Sequence, residues 1–151
     1  MNEFAVLRAL HVLGVVLWIG GVAFVTTVLL PGLRHEEGDR LARFDRLERR
    51  FAWQARITTL LVGVTGFWMT GRYGLWPRFA SPEFWWMHAM VAVWVIFTLM
   101  LFVLEPAFLH RWLEARNKRD PPGTFALVQR LHWVLLAISL LTVVGAVLGV
   151  H

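Results

Sequence analysis

From Ala9 to Leu33 the chain carries no Asp, Glu, Lys or Arg, and this one run excludes most of the ways a 151-residue chain can fold. A hydrocarbon core about 30 Å thick is crossed by about 20 helical residues. The run is long enough to span it and too apolar to be covered by so short a chain. Three more runs follow. Phe84 to Leu104 begins after Glu83, and Leu131 to His151 is the last. Ile57 to Gly71 is shorter, but it reaches spanning length from Phe51 if Arg56 extends its guanidinium to the interface. Backbone polar groups in lipid must be satisfied internally, which leaves helices or closed barrels, and these runs lack the period-two patterning of a barrel. The expectation is an all-α chain: one domain over residues 1–151, an integral membrane four-helix bundle of antiparallel up-down topology. Its spans fall at about 9–31, 51–71, 84–105 and 125–150. The first run is longer than a signal-peptide core, and no small-residue cleavage site follows it.

The composition agrees, with 58% hydrophobic residues, 9 Trp and 11 Phe, more than a soluble domain carries. The absence of Cys excludes disulfides, zinc–thiolate sites and iron–sulfur clusters. The net charge of +5 does not form a nucleic-acid face, because the basic residues sit between the apolar runs. Arg34 to Arg56 holds seven Arg against five acids, and His110 to Arg130 adds Arg111, Arg116, Lys118, Arg119 and Arg130. The opposite side has Arg8, Arg72 and Arg78. The positive-inside rule then places segments 34–50 and 110–124 in the cytoplasm and both termini outside. Leu41, Phe44, Leu47 and Phe51, at spacings of three and four, predict an amphipathic extension of the second helix, with Asp39 as its cap. Pro121-Pro122-Gly123-Thr124 breaks the chain before the fourth helix, which Thr124 is expected to cap. Gly71, Gly74 and Pro77 mark the outer turn, and Trp76, Trp85 and Trp86 read as an aromatic belt around it.

Ionisable residues within spans are costly and mark function. His11 opens the first span and His88 lies one turn into the third; both helices start on the outer side, so the two rings share a depth. Two such imidazoles suit the axial positions of a haem b iron. His11, Gly14, Trp18 and Gly21 recur at three, four and three, a face on which Gly lets a flat macrocycle or a second helix approach. Thr59, Gly63, Gly66 and Thr70 give the second span a similar face. Arg8, Arg72 and Arg78 stand where propionates would emerge. The competing readings are an interfacial histidine and plain helix packing. His132 lies toward the inner leaflet, as a packing residue or, with His110, as a ligand of a second haem. His35, His110 and His151 read as solvated. Glu105, just before Pro106, is a relay carboxylate or, by preference, a partner of Arg111 or Arg130. There is no Ser-His-Asp set, phosphate loop or zinc-protease motif. Met69, Met87, Met90 and Met100 are too scattered for a copper ladder.

Leu10-His11-Val12-Leu13-Gly14, Leu17-Trp18-Ile19-Gly20-Gly21, Leu29-Leu30-Pro31, Arg50-Phe51-Ala52-Trp53 and Thr65-Gly66-Phe67-Trp68-Met69 resemble the copper resistance protein D-like (CopD-like) family of small bacterial membrane proteins. The resemblance covers most of the chain, and the His-to-Trp-Gly-Gly stretch is its most specific part. More distantly the chain is similar to the membrane-bound protoporphyrinogen oxidase of the HemJ type, whose haem b histidine in the first span is matched by His11. That family's functional Lys in the third span is matched by Met90, which argues against protoporphyrinogen oxidation and leaves His88 as the second ligand. The resemblance implies a protein of the bacterial inner membrane. Two function classes remain. One is a haem b redox protein, with one haem or two, exchanging electrons with quinol or a redox protein, or acting as an oxidoreductase. The other is a non-redox protein of copper transport or resistance, or of the assembly of a larger membrane complex. Either class admits a homo-oligomer or a subunit of such a complex.

Overall fold

The computed structural model describes residues 2–35 and 38–149, and among these it is helical throughout, with no strand. Four long helices account for most of it: α1 (Glu3–Leu33), α2 (Arg40–Arg72), α3 (Pro82–Asn117) and α4 (Pro121–Leu148). Of these, α1, α3 and α4 are long and apolar enough to cross a membrane, so the chain has the helices of a multi-pass membrane protein. The apolar side chains that face outward fit this role: Val16, Trp53, Val64, Leu141 and Leu148 are all more than half exposed, a pattern that water would penalise and lipid does not.

The helix ends follow from local chemistry. Asn2 caps α1 by accepting from the Phe4 N–H, and Asp39 caps α2 by accepting from the Ala42 N–H, as the sequence leads one to expect. At α4 the cap is Asp120, which accepts from the Gly123 N–H. Pro121 and Pro122 occupy the first turn, where a missing N–H costs nothing. Thr124, expected at that cap, lies inside the helix and donates to the Asp120 carbonyl. The turn after α2 is closed by Gly74 at φ 63°, a conformation that L side chains seldom adopt. Trp76 and Trp85 are exposed near it, but Trp86 is buried in the packing rather than on the rim.

Two buried clusters hold the helices together. One gathers Trp18, Ile19 and Val22 of α1 with Val62 of α2, Val93 and Phe97 of α3 and Leu136 of α4. The Trp18 and Phe97 rings meet edge to face at 4.9 Å. The other lies toward the arginine-rich end and joins Val25, Leu30 and Leu33 of α1 to Leu41 and Phe44 of α2 and Phe125 and Val128 of α4. At the opposite end Glu3 meets the Trp68 indole N–H at 3.3 Å and the Arg72 guanidinium at 3.9 Å, which sets the start of α1 beside the end of α2. On α2 the buried stripe is Leu41, Phe44, Ala52 and Ala55, whereas Leu47 is 51% exposed. The interior face therefore passes through Glu48 instead of the expected Leu47.

α3 carries an irregularity with a clear cause. Met100–Leu109 is π-helical and contains Pro106. In a π register the Leu101 carbonyl is served by the amide five residues on, and that residue is Pro106, which has no N–H. The vacancy is filled from α2: Arg56 Nε donates to the Leu101 carbonyl at 3.1 Å. The same guanidinium reaches Glu105 at 3.4 Å. Glu105 thus pairs with Arg56 instead of with Arg111 or Arg130, because the wide turn presents it to α2.

Candidate functional site

The His11 ring stands between α1 and α2. Its Nδ1 lies 3.1 Å from both the Val62 carbonyl and the Thr65 hydroxyl oxygen. A carbonyl can only accept, so Nδ1 carries a proton and donates it. The Thr65 hydroxyl spends its own proton on the Leu61 carbonyl at 2.6 Å, which leaves its oxygen to accept from His11 as well. In the neutral ring the lone pair therefore sits on Nε2. This is how metal-ligating histidines are oriented, with the tautomer fixed by a bond at the other nitrogen. Thr65 is a residue the sequence reading quoted only as the start of the Thr65–Met69 stretch and gave no role. The decisive acceptor, a main-chain carbonyl, leaves no trace in residue type.

His88 lies elsewhere. It is exposed near the start of α3, its ring edge-on to Phe79 at 5.1 Å, with no hydrogen bond among the described residues. The small residues expected beside His11 are occupied by side chains. A Cβ on Gly14 would meet Val62 at 2.8 Å, and Phe51 fills the space beside Gly21. Gly63 lies under the Trp94 ring, whose indole N–H donates to the Thr59 carbonyl at 2.9 Å, and a Cβ on Gly66 would meet His11 Cε1 at 3.1 Å. Trp18 is 3% exposed, and its Nε1 is buried without a partner, as is Thr59 Oγ1. Of the arginines at that end, Arg72 faces Glu3, Arg8 lies over the Phe4 ring at 5.9 Å and Arg78 over Phe84 at 5.2 Å.

A second set of polar groups lies at the arginine-rich end. His132 Nδ1 donates to the Val128 carbonyl at 2.9 Å, its ring packs edge-on to Phe44, and its Nε2 points to Glu48 at 3.9 Å. His110 is shared between Asp45 at 3.5 Å and Glu114 at 3.3 Å, so it is tied to two carboxylates and not to His132. His151 lies outside the described residues. Among the described residues no three His, Asp or Glu side chains converge to hold a bare metal ion.

Within this set Glu48 is the group displaced far from its ordinary range. Burial, then the neighbouring Glu105 and Asp45 charges, raise its pKa from 4.5 to about 8. A carboxyl raised on folding contributes stability that is complete below its unfolded value and is lost as pH rises through its folded value. Purified protein is therefore expected to lose thermal stability between about pH 5 and pH 9, and Glu48→Gln is expected to flatten that dependence. The size is about 2 kcal/mol after allowing for the third of the side chain open to solvent. Melting curves across that pH range check it: equal slopes in the two proteins exclude Glu48 as the cause.

All-helical architecture with three apolar helices of spanning length defines a multi-pass membrane protein. No family profile, curated protein or solved structure matches the chain.

Proposed function

We propose that the chain is a haem b-binding redox protein of the bacterial inner membrane, crossing it four times as an up-down bundle. In this reading α2 is the fourth span through its Phe51–Arg72 half, both termini face outward, and segments 34–50 and 110–124 are cytoplasmic. The observation that carries the reading is the His11 ring, held within the bundle by the Val62 carbonyl and Thr65 so that Nε2 is free to ligate. His88 would be the second residue to hold the group, Arg8 and Arg72 would pair with its propionates, and Trp18, Gly14 and Gly21 would form its apolar wall. Each would do so by leaving a present contact: His88 with Phe79, Arg8 with Phe4, Arg72 with Glu3, Trp18 with Phe97, and Gly14 and Gly21 with Val62 and Phe51. The bound group would supply one-electron exchange with quinol or a protein partner. The protein's part is to orient imidazole, exclude water and set the iron's surroundings. His132 is left to its bond with Val128 and its approach to Glu48, so one haem is expected.

A second reading, a non-redox protein of copper transport or of membrane-complex assembly, is favoured by one observation: Gly14, Gly21 and Gly63 are filled by side chains of the neighbouring helices. Colour separates the two. Protein purified after expression with ample haem is expected to show the reduced-minus-oxidised bands of a low-spin b-type haem, with one haem per chain by pyridine haemochrome. A colourless preparation sinks the redox reading and leaves the second.

A further inference from the structure

Between α1 and α2, toward the arginine-rich end, runs a groove of about 460 Å³. Its walls are Val16, Leu17 and Phe24 of α1 and Leu47 and Phe51 of α2. Gly20 forms the floor with nothing within 4 Å of where a Cβ would stand, so the space is open along the helix. At one end the Gln54 amide spans the groove to the Leu17 carbonyl at 3.5 Å, and one turn along α2 from it Arg50 lines the wall. The walls are exposed: Val16 by 61%, Phe24 by 57% and Leu47 by 51%.

The charges around the groove are segregated. Leu47, Arg50 and Gln54 follow one another along one side of α2 at spacings of three and four, and Arg46 stands four before Arg50. The two acids of this stretch point the other way, Asp45 to His110 of α3 and Glu48 to His132 of α4. Arg50 is exposed and has no acidic partner among the described residues. An apolar groove flanked by a guanidinium with no acidic partner among the described residues, at the boundary between an apolar helix half and a basic one, matches a molecule with a long hydrocarbon chain and an anionic head.

We propose that this groove binds an anionic phospholipid of the cytoplasmic leaflet, one acyl chain lying over Gly20 and the phosphate paired with Arg50. The proposal rests on the membrane sidedness argued above and not on the haem. The anionic leaflet lies on the side where basic residues collect, and guanidinium matches phosphate oxygens in a fork that an ammonium cannot.

The test uses the full chain, purified in a mild detergent and stripped of lipid, titrated with phosphatidylglycerol and with phosphatidylcholine of the same chains and followed by native mass spectrometry. Phosphatidylglycerol is expected to bind about fivefold more tightly, the effect of one cation near an anionic headgroup. Arg50→Gln is expected to erase the preference, Arg50→Lys to keep part of it, and Arg119→Gln, on the distant connector, to leave it intact. Gly20→Leu, which fills the floor, is expected to weaken both lipids. Equal affinities for the two lipids, a preference that survives Arg50→Gln, or undiminished binding in Gly20→Leu overturns the proposal. So does a benzoquinone with an isoprenoid tail that displaces bound phosphatidylglycerol one for one, since the groove is then a quinone site. The visible spectrum of the same samples reports on the haem separately.

Discussion

Alanine in place of His11 is expected to remove the haem spectrum completely, while the helices and the melting of the apoprotein change little. The ring is only half buried, so the truncation leaves no large void, whereas among the described residues only the His11 imidazole bonds to Val62 and Thr65. The informative companion is Thr65→Val. It keeps the Val62 carbonyl as the acceptor for Nδ1 and deletes the second one. Loss of such an outer partner costs about tenfold in affinity for the bound group, so that variant is expected to load haem partially and to shift its potential. A normal spectrum in His11→Ala shows that the ligation is wrong. A normal spectrum in Thr65→Val with loss in His11→Ala shows that the Val62 carbonyl alone orients the ring.

The second large effect is expected at Arg56. Its guanidinium serves the Leu101 carbonyl and neutralises Glu105 at once. Arg56→Ala strips the carbonyl of its donor in a place where Pro106 can offer none, and leaves Glu105 facing Glu48 without a counter-charge. An unpaired polar group away from water costs about 1–3 kcal/mol, more where charge is involved, so the variant is expected to lose about 3 kcal/mol. Arg56→Lys separates the two roles: one ammonium restores the charge but cannot reach both partners with a planar fork, and about half the loss is expected to remain. Thermal unfolding in detergent measures both. Arg56→Ala melting like the parent protein shows that water takes over the Leu101 bond.

Three apolar helices of spanning length were legible from Ala9–Leu33 and the runs after Glu83 and Arg130, whereas the expected span at 51–71 is part of a helix, α2, that is not apolar enough over its length to count with them. Asp39 announced the start of α2 by residue type alone. The interior of the arginine-rich end was not legible. Periodicity drew the buried stripe of α2 through Leu47 and Phe51, since those are apolar; the packed stripe runs through Phe44, Glu48 and Ala52, spaced by four. Placing a carboxyl on a core face contradicts hydropathy, and it is tolerated here because His132 approaches from α4. The partner of Glu105 was misread for a related reason. A shared place at the basic interface pointed to Arg111 and Arg130, but the wide turn at Pro106 presents the side chain to α2. The histidine depth pairing of His11 and His88 came from counting residues along two helices, and counting gives height without azimuth: His11 turns to α2 and His88 to Phe79.

The Arg56 bond to Leu101 also bears on how such a chain is built. Within lipid a helix ordinarily closes all of its own main-chain bonds and can settle alone. The third helix here does not, since its Leu101 carbonyl is answered by a side chain of α2, made earlier in synthesis. Order of assembly is thereby written into the backbone: α1 and α2 must be in place before the third helix is complete. A slip of one residue between them would break the bond, so the same contact acts as a gauge of register.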